Sequence, residues 1–168
     1  MHWPIQLRRI PTLLLAFSMT IGLISGVFLA LNDIPFSVSV MRTAVLIRVS
    51  IVGILSVQFL PFLLSAFAVY TFGRFWIIPI CSLKAFSFGY TAAMVSQAFG
   101  DAGWLARWLL LNSSCMSLPL LIWFGIRHLD GKHQSSLFWD FGLCAALVLW
   151  IGSLDYRVIS PFLVNLID

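Results

Sequence analysis

Five apolar stretches, each about long enough to cross a lipid bilayer, constrain this chain more than any other feature. A spanning helix needs about 20 mainly apolar residues, because the hydrocarbon core of a bilayer is about 30 Å thick. The stretches cover residues 11–31, 49–70, 75–98, 104–126 and 137–154. We therefore predict a single all-α domain, a polytopic integral membrane helical bundle of about five transmembrane helices, with a tail at 155–168.

The composition agrees with a membrane protein. Hydrophobic residues make up 61% of the 168 residues and charged residues 10%, whereas a soluble domain has about 45–50% apolar and about 25% charged residues. The net charge of +4 is spread over basic residues that stand singly or in pairs, with no basic stretch that carries interleaved aromatic residues. Such a stretch is typical of nucleic-acid binding, so we expect membrane lipid as the surroundings and no nucleic-acid partner.

The distribution of basic residues favours an orientation with the amino terminus inside and the carboxyl terminus outside. Loops on the cytoplasmic side of a membrane carry the excess of lysine and arginine. This orientation places five basic residues inside and four outside. The inside set is Arg8, Arg9, Arg74, Arg127 and Lys132, and the outside set is Arg42, Arg48, Arg107 and Arg157.

Gly22 and Gly26 in the first stretch have the GxxxG spacing that lets another helix approach closely. The alternative explanation is that glycine is simply common in membrane helices. Under the first explanation, both glycines are helix-packing residues.

Lys84 is the most unusual residue of the third stretch, because a lysine near the centre of a bilayer is normally paired, hydrated or extended towards the headgroups. In one interpretation Pro79 breaks the stretch, the helix begins near Cys81, and Lys84 reaches the cytoplasmic headgroups. In the other, Lys84 faces the bundle interior, with Asp140 at the start of the fifth stretch as its counter-charge.

A polar patch precedes Pro119 in the fourth stretch. Its hydroxyl and amide groups are suited to line a substrate path beside a carbonyl that the proline frees, and equally to form hydrogen bonds between helices. The patch consists of Asn112, Ser113, Ser114 and Ser117.

The chain contains no motif that indicates catalysis or a cofactor. HExxH, GxSxG and Walker patterns are absent, and so is a CxxC pair. His128 and His133 flank Asp130 in the hydrophilic loop, but no further ligand has recognised metal spacing. We therefore expect a non-enzymatic protein without a catalytic, cofactor or metal site.

Two stretches together resemble the stage II sporulation protein M family. In "FGRFWIIPICSLKAFSFGYTAAMV" the resemblance rests on Leu83-Lys84-Ala85 followed by Gly89-Tyr90. In "GSLDYRVISPFLV" it rests on Asp155, the nearby aromatic and basic residues, and Ser160-Pro161. Both motifs, with the five apparent spans, cover most of the chain.

The resemblance implies a multi-pass protein of the bacterial cell membrane that anchors peptidoglycan-degrading partners at the septal membrane during engulfment of the forespore. It gives Lys84 a packed or cavity-facing position and places Asp155, with nearby Arg157, at the outer face, within reach of cell-wall hydrolases or other membrane proteins. Pro161 is a further candidate in the same external tail. The alternative from the residues alone is a small transporter or permease subunit with a polar site between proline-broken helices. A purely structural bundle is a third interpretation.

Overall fold

The computed structural model of the chain describes residues 5–32, 51–99, 104–129, 136–154 and 156–157. Over these residues the fold is all helical and contains no strand, which confirms the predicted all-α class. The main helices are α1 (Ile5–Asn32), α2 (Ile51–Thr71), α3 (Ile77–Phe99), α4 (Trp104–Leu129) and α5 (Leu137–Leu154).

Three helical stretches are long and apolar enough to cross a membrane. They are Ile10–Asn32 with 23 residues, Arg74–Gln97 with 24 residues and Leu137–Leu154 with 18 residues. Two further apolar helical stretches, Gln58–Thr71 and Cys115–Leu129, are shorter within the part of the chain that the structure describes.

The prolines do not interrupt the helices that contain them. Pro61 lies inside α2 and Pro119 inside α4, and both helices are continuous. Pro79 is the third residue of α3, where the missing N–H has no intrahelical partner to lose. The interpretation in which Pro79 breaks the stretch and the helix begins near Cys81 is therefore wrong, and the helix agrees with the predicted span of 75–98.

The turn between α2 and α3 depends on Gly73. This residue has φ of 102°, in the region that glycine adopts without a steric penalty. Its N–H and that of Phe72 both donate to the carbonyl of Ala68, at 3.0 and 2.9 Å. A short 3₁₀ helix, Arg74–Trp76, then leads directly into α3.

The closest packing in the bundle joins α1 to α3 through glycine. A Cβ atom on Gly22 would overlap the carbonyl oxygen of Ser82, and one on Gly26 would overlap that of Phe86. Only a residue without a side chain fits there, so the two backbones touch directly. Both glycines are the ones that the sequence singles out for helix packing.

Gly89 makes the reciprocal contact from α3, because a Cβ atom on it would overlap the carbonyl oxygen of Leu23. Ser82 Oγ also donates a hydrogen bond of 2.9 Å to the carbonyl of Ser18. Residue numbers rise together along both helices through these contacts. Helices α1 and α3 therefore run parallel.

Helix α4 runs in the opposite direction to α3. A Cβ atom on Gly125, near the end of α4, would lie 3.0 Å from a methyl carbon of Ile77 and 3.6 Å from Sγ of Cys81, both near the start of α3. Helix α5 packs mainly on α2 and α4. The buried core that these helices share includes Phe62, Leu121, Phe124, Cys144 and Val148.

We predict that Gly26→Leu destabilises the protein by about 1–3 kcal/mol or more, because the new side chain pushes α1 away from the backbone of α3. The matched control is Gly142→Leu in α5, since Gly142 has no atom within 4 Å of a built Cβ. That variant should change the free energy of unfolding by about 0.5 kcal/mol or less. Denaturant unfolding in detergent micelles, followed by circular dichroism, measures both. Equal effects at the two positions would contradict the close packing of α1 on α3.

Candidate functional site

Six polar or charged side chains are buried among the described residues. A buried polar group is costly in an apolar bundle unless it is hydrogen-bonded or paired, so these side chains are the candidates for function. They are Gln58, Ser65, Lys84, Ser117, His128 and Asp140.

Asp140, in the first turn of α5, is the centre of one cluster. Its Oδ2 accepts a hydrogen bond of 2.7 Å from Nε of Arg127 and one of 2.9 Å from Oγ of Ser136. Nε2 of His128 lies 3.3 Å from the same oxygen. The side chain of Asp140 is 9% exposed, and that of Arg127 is 35% exposed. A half-buried charge-assisted contact therefore joins the end of α4 to the start of α5.

The positions of these charges suit the two helix ends. The last turn of α4 carries Arg127 and His128, and the first turn of α5 carries Asp140. Cations are stabilised near the carboxyl end of a helix, and anions near the amino end. The carboxylate is therefore favoured by both its partners and its place on α5.

Aromatic rings support both basic residues of the cluster. The His128 ring centroid is 4.5 Å from that of Phe124, and the Arg127 guanidinium is 5.2 Å from the centroid of the Trp123 ring. The Phe124 and His128 rings are tilted by 51° to one another. These ring contacts favour the positions that bring both basic side chains to Asp140.

Lys84 lies deeper in the bundle, on the face of α3 that packs against α4. It is 7% exposed and follows Ile77 and Cys81, which contact Gly125, along the same face. Lys84 is seven residues beyond Ile77, or about 10 Å along the helix, and Ser117 is about 12 Å from Gly125 along α4. Both polar residues therefore lie at a similar level of the α3–α4 interface.

Arg127, at the end of α4, is an ionic partner of Asp140 that sequence reasoning did not name. The short connection between α4 and α5 places it beside Asp140, and the contact of Lys84 with Asp140 stays a prediction. Sequence reasoning also missed His128 as a neighbour of Asp140. The sequence did contain a signal for this contact: basic residues at the end of α4 and an acidic residue at the start of α5 stand on either side of one short loop.

The structure does not bring all predicted site residues together. Gly89 packs against α1, away from the Asp140 cluster. Asp155 and Pro161 lie outside the described residues. Asn112, Ser113 and Ser114 belong to α4, but the structure describes no side chain for them, whereas Ser117 of the same patch is buried.

Within the part of the chain that the structure describes, no three His, Cys, Asp or Glu side chains are grouped to hold a metal ion. His128 and Asp140 alone supply two such groups at the cluster. A structural metal site takes about four ligands. The geometry described here is that of an ion pair with supporting hydrogen bonds.

Comparison with protein-family models, with curated proteins and with solved structures found no match to this chain. The resemblance to the stage II sporulation protein M family therefore stays a prediction from the two motifs.

We predict that the Lys84 amine reacts at least about tenfold more slowly in the folded protein than in the unfolded chain, because burial excludes reagent from its nitrogen. A water-soluble succinimidyl ester, applied to the protein in lipid vesicles permeabilised to the reagent, measures this by mass spectrometry of the Lys84 peptide. The same peptide labelled after unfolding is the control. Equal rates would show that Lys84 reaches the aqueous surface.

We predict that Asp140→Asn and Arg127→Gln each lower the free energy of unfolding by about 1–3 kcal/mol. Arg127→Gln leaves the buried Asp140 carboxylate without its cation, and Asp140→Asn removes the charged acceptor that Arg127, His128 and Ser136 surround. The double variant should lose less than the sum of the two, with a coupling energy of about 0.5–3 kcal/mol. Arg74→Gln combined with Asp140→Asn is the matched control and should be additive. Additivity for Arg127 and Asp140 would mean that their contact does not stabilise the fold.

Proposed function

We propose that this chain is a multi-pass protein of a bacterial cell membrane, with five spanning helices, the amino terminus inside and the carboxyl terminus outside. Three stretches of the fold have the length and apolar character of a span. Because α1 and α3 run parallel, the chain must return between them, and α2 is the described helix that lies between them in sequence. Helices α3 and α4 are antiparallel, so each of these helices runs in the opposite direction to the one before it.

Exposed aromatic residues support a membrane boundary at the end of the bundle where α3 begins. Phe72, Phe75 and Trp76 follow α2, and Phe138 and Trp139 begin α5; each is more than half exposed. Aromatic side chains are enriched where a bilayer meets water, and arginine is enriched on the cytoplasmic side. Arg74, whose guanidinium is 5.3 Å from the Phe75 ring centroid, supports the proposal that this end is the inner one.

Reporter fusions test the proposed topology. Alkaline phosphatase, which is active only outside the cytoplasm, should be active when fused after residue 101 or 168 and inactive after residue 73 or 132. A fluorescent protein that folds only in the cytoplasm should give the opposite pattern. An inactive phosphatase after residue 168 would exclude the orientation with the carboxyl terminus outside.

We propose that the protein acts as a non-enzymatic scaffold that anchors peptidoglycan-degrading partners at the septal membrane during engulfment of the forespore. The observation that carries this proposal is that the motif shared with stage II sporulation protein M consists of packing residues here. Lys84 and Ala85 are buried, Gly89 touches the backbone of α1, and the Tyr90 ring stacks on Phe86. A motif used for packing suits a scaffold, and the outer tail with Asp155 and Pro161 is the proposed partner contact.

Co-purification tests the scaffold. The tagged chain, isolated from the membranes of its own host, should carry peptidoglycan-hydrolysing activity, and Asp155→Ala with Pro161→Ala should reduce that activity severalfold without loss of the chain. Gly142→Ala is the matched control, because it alters an exposed helix position. A chain that retains no wall-degrading activity from membranes in which such activity is present would refute the scaffold.

A small transporter or permease subunit is the second candidate, and the burial of Lys84 and Gln58 at helix interfaces favours it. Intramembrane polar residues commonly mark a substrate path. The described helices are continuous through their prolines, so the site would be built from side chains rather than from an unwound backbone. Under this alternative, reconstituted vesicles take up a solute, and Lys84→Met abolishes the uptake.

A further inference from the structure

Gln58 has a buried polar side chain that lacks a hydrogen-bond partner for its amide oxygen within the described fold. It is 2% exposed, and its Oε1 has no hydrogen-bond partner among the described residues. An amide oxygen left in this state in an apolar interior destabilises the fold, because it has given up its hydrogen bonds to water without replacement. A side chain of this kind either receives a donor from a bound molecule or destabilises the fold.

The same turn of α2 contains a second incompletely bonded acceptor. Residue 61 is a proline inside the helix, so it has no N–H to donate to the carbonyl of Val57, four residues earlier. The nearby hydroxyl of Ser65 is already used, because its Oγ donates to the carbonyl of Pro61 at 2.7 Å. Two acceptors on adjacent residues, Val57 and Gln58, therefore need donors.

The neighbourhood of Gln58 is the interior of the bundle rather than its lipid-facing surface. Gln58, Phe62, Ser65 and Val69 form the buried face of α2, and α2 packs mainly on α5. Next to Gln58, the ring of Phe59 lies 5.9 Å from that of Phe141. Gln58 therefore lies on the buried face of α2, in the part of that helix that is close to the first turns of α5.

A neutral donor suits this site better than a cation. A cation in an apolar interior is costly unless it is paired, and Asp140, the carboxylate next to Phe141, is already paired with Arg127 at 2.7 Å.

We propose that Gln58 holds a buried water molecule, together with the carbonyl that Pro61 leaves without its helical partner. Water both donates and accepts, so it satisfies the Gln58 amide in either orientation of its oxygen and nitrogen. Buried waters of this kind bond to about three polar groups. Helix α2 therefore carries a hydration site inside the bundle, and this holds for a scaffold and a transporter alike.

Water-edited solid-state NMR of the full chain in lipid bilayers tests the site. Glutamine side chains labelled with ¹⁵N give signals from four residues, Gln6, Gln58, Gln97 and Gln134. Each of the other three is replaced by asparagine in a separate variant, which assigns the Gln58 signal by elimination. None of these variants changes Gln58 itself. Exposed Gln97 is the wet reference. A second sample labelled with ¹⁵N-methionine supplies the dry reference, the backbone N–H of buried Met19 on α1, a helix that packs mainly on α3 and α4 rather than on α2.

The site predicts that magnetisation passes from water to the Gln58 side-chain amide at a rate within about threefold of that for Gln97, despite its burial. The Met19 amide should receive it at least about fivefold more slowly than Gln58. A Gln58 signal that builds up as slowly as that of Met19 would overturn the proposal.

Discussion

The direct contact between the backbones of α1 and α3 is the constraint on which the rest of the bundle depends. Gly22, Gly26 and Gly89 remove the side chains that would keep the helices apart, and Ser82 adds a hydrogen bond to α1. In a bilayer the solvent offers little hydrophobic drive for one helix to join another, so such close van der Waals packing is a main source of association. With α1 fixed to one face of α3, the opposite face is left for α4.

That opposite face carries the polar residues of the interior. Ile77 and Cys81 touch α4 at Gly125, and Lys84 continues the same face towards the level of Ser117. At the end of α4, Arg127 and His128 engage Asp140 and so attach α5. The charged cluster of Arg127, His128 and Asp140 therefore lies at one end of the helices, and Lys84 and Ser117 lie deeper in the bundle. The apolar side chains Leu13, Phe17 and Phe28 of α1 stay exposed to the surroundings.

Helical class and the close-packing glycines could be predicted because each depends on residues near one another in the chain. Twenty apolar residues favour a helix in any membrane context, and the spacing of Gly22 and Gly26 indicates a contact face. The partner of that face was not predictable, because a single sequence does not say which helix meets it. Pro79 was misjudged because its effect depends on its position: in the first turn of a helix, proline removes no hydrogen bond.

The contact of Asp140 with Arg127 was missed for a similar reason. Depth in the bilayer alone suggested Lys84, but it does not say which helix ends meet, and the packing of the bundle places Arg127 at the end of α4 beside the start of α5. The sequence alone shows that Gln58 is a polar residue in an apolar stretch. It does not show that the side-chain oxygen lacks a hydrogen-bond donor, because that depends on every residue around it in the folded protein.

Cross-linking is the most direct test of the parallel contact between α1 and α3. In a chain whose native cysteines are replaced by alanine, we predict that Ser18→Cys and Ser82→Cys form a disulfide under mild oxidation in the membrane. The reason is that the Ser82 hydroxyl contacts the backbone of Ser18. Ser18→Cys paired with Tyr90→Cys should not cross-link in a parallel pair, since Tyr90 lies beside Gly26 instead. Efficient cross-linking of the second pair, without the first, would contradict the parallel glycine contact.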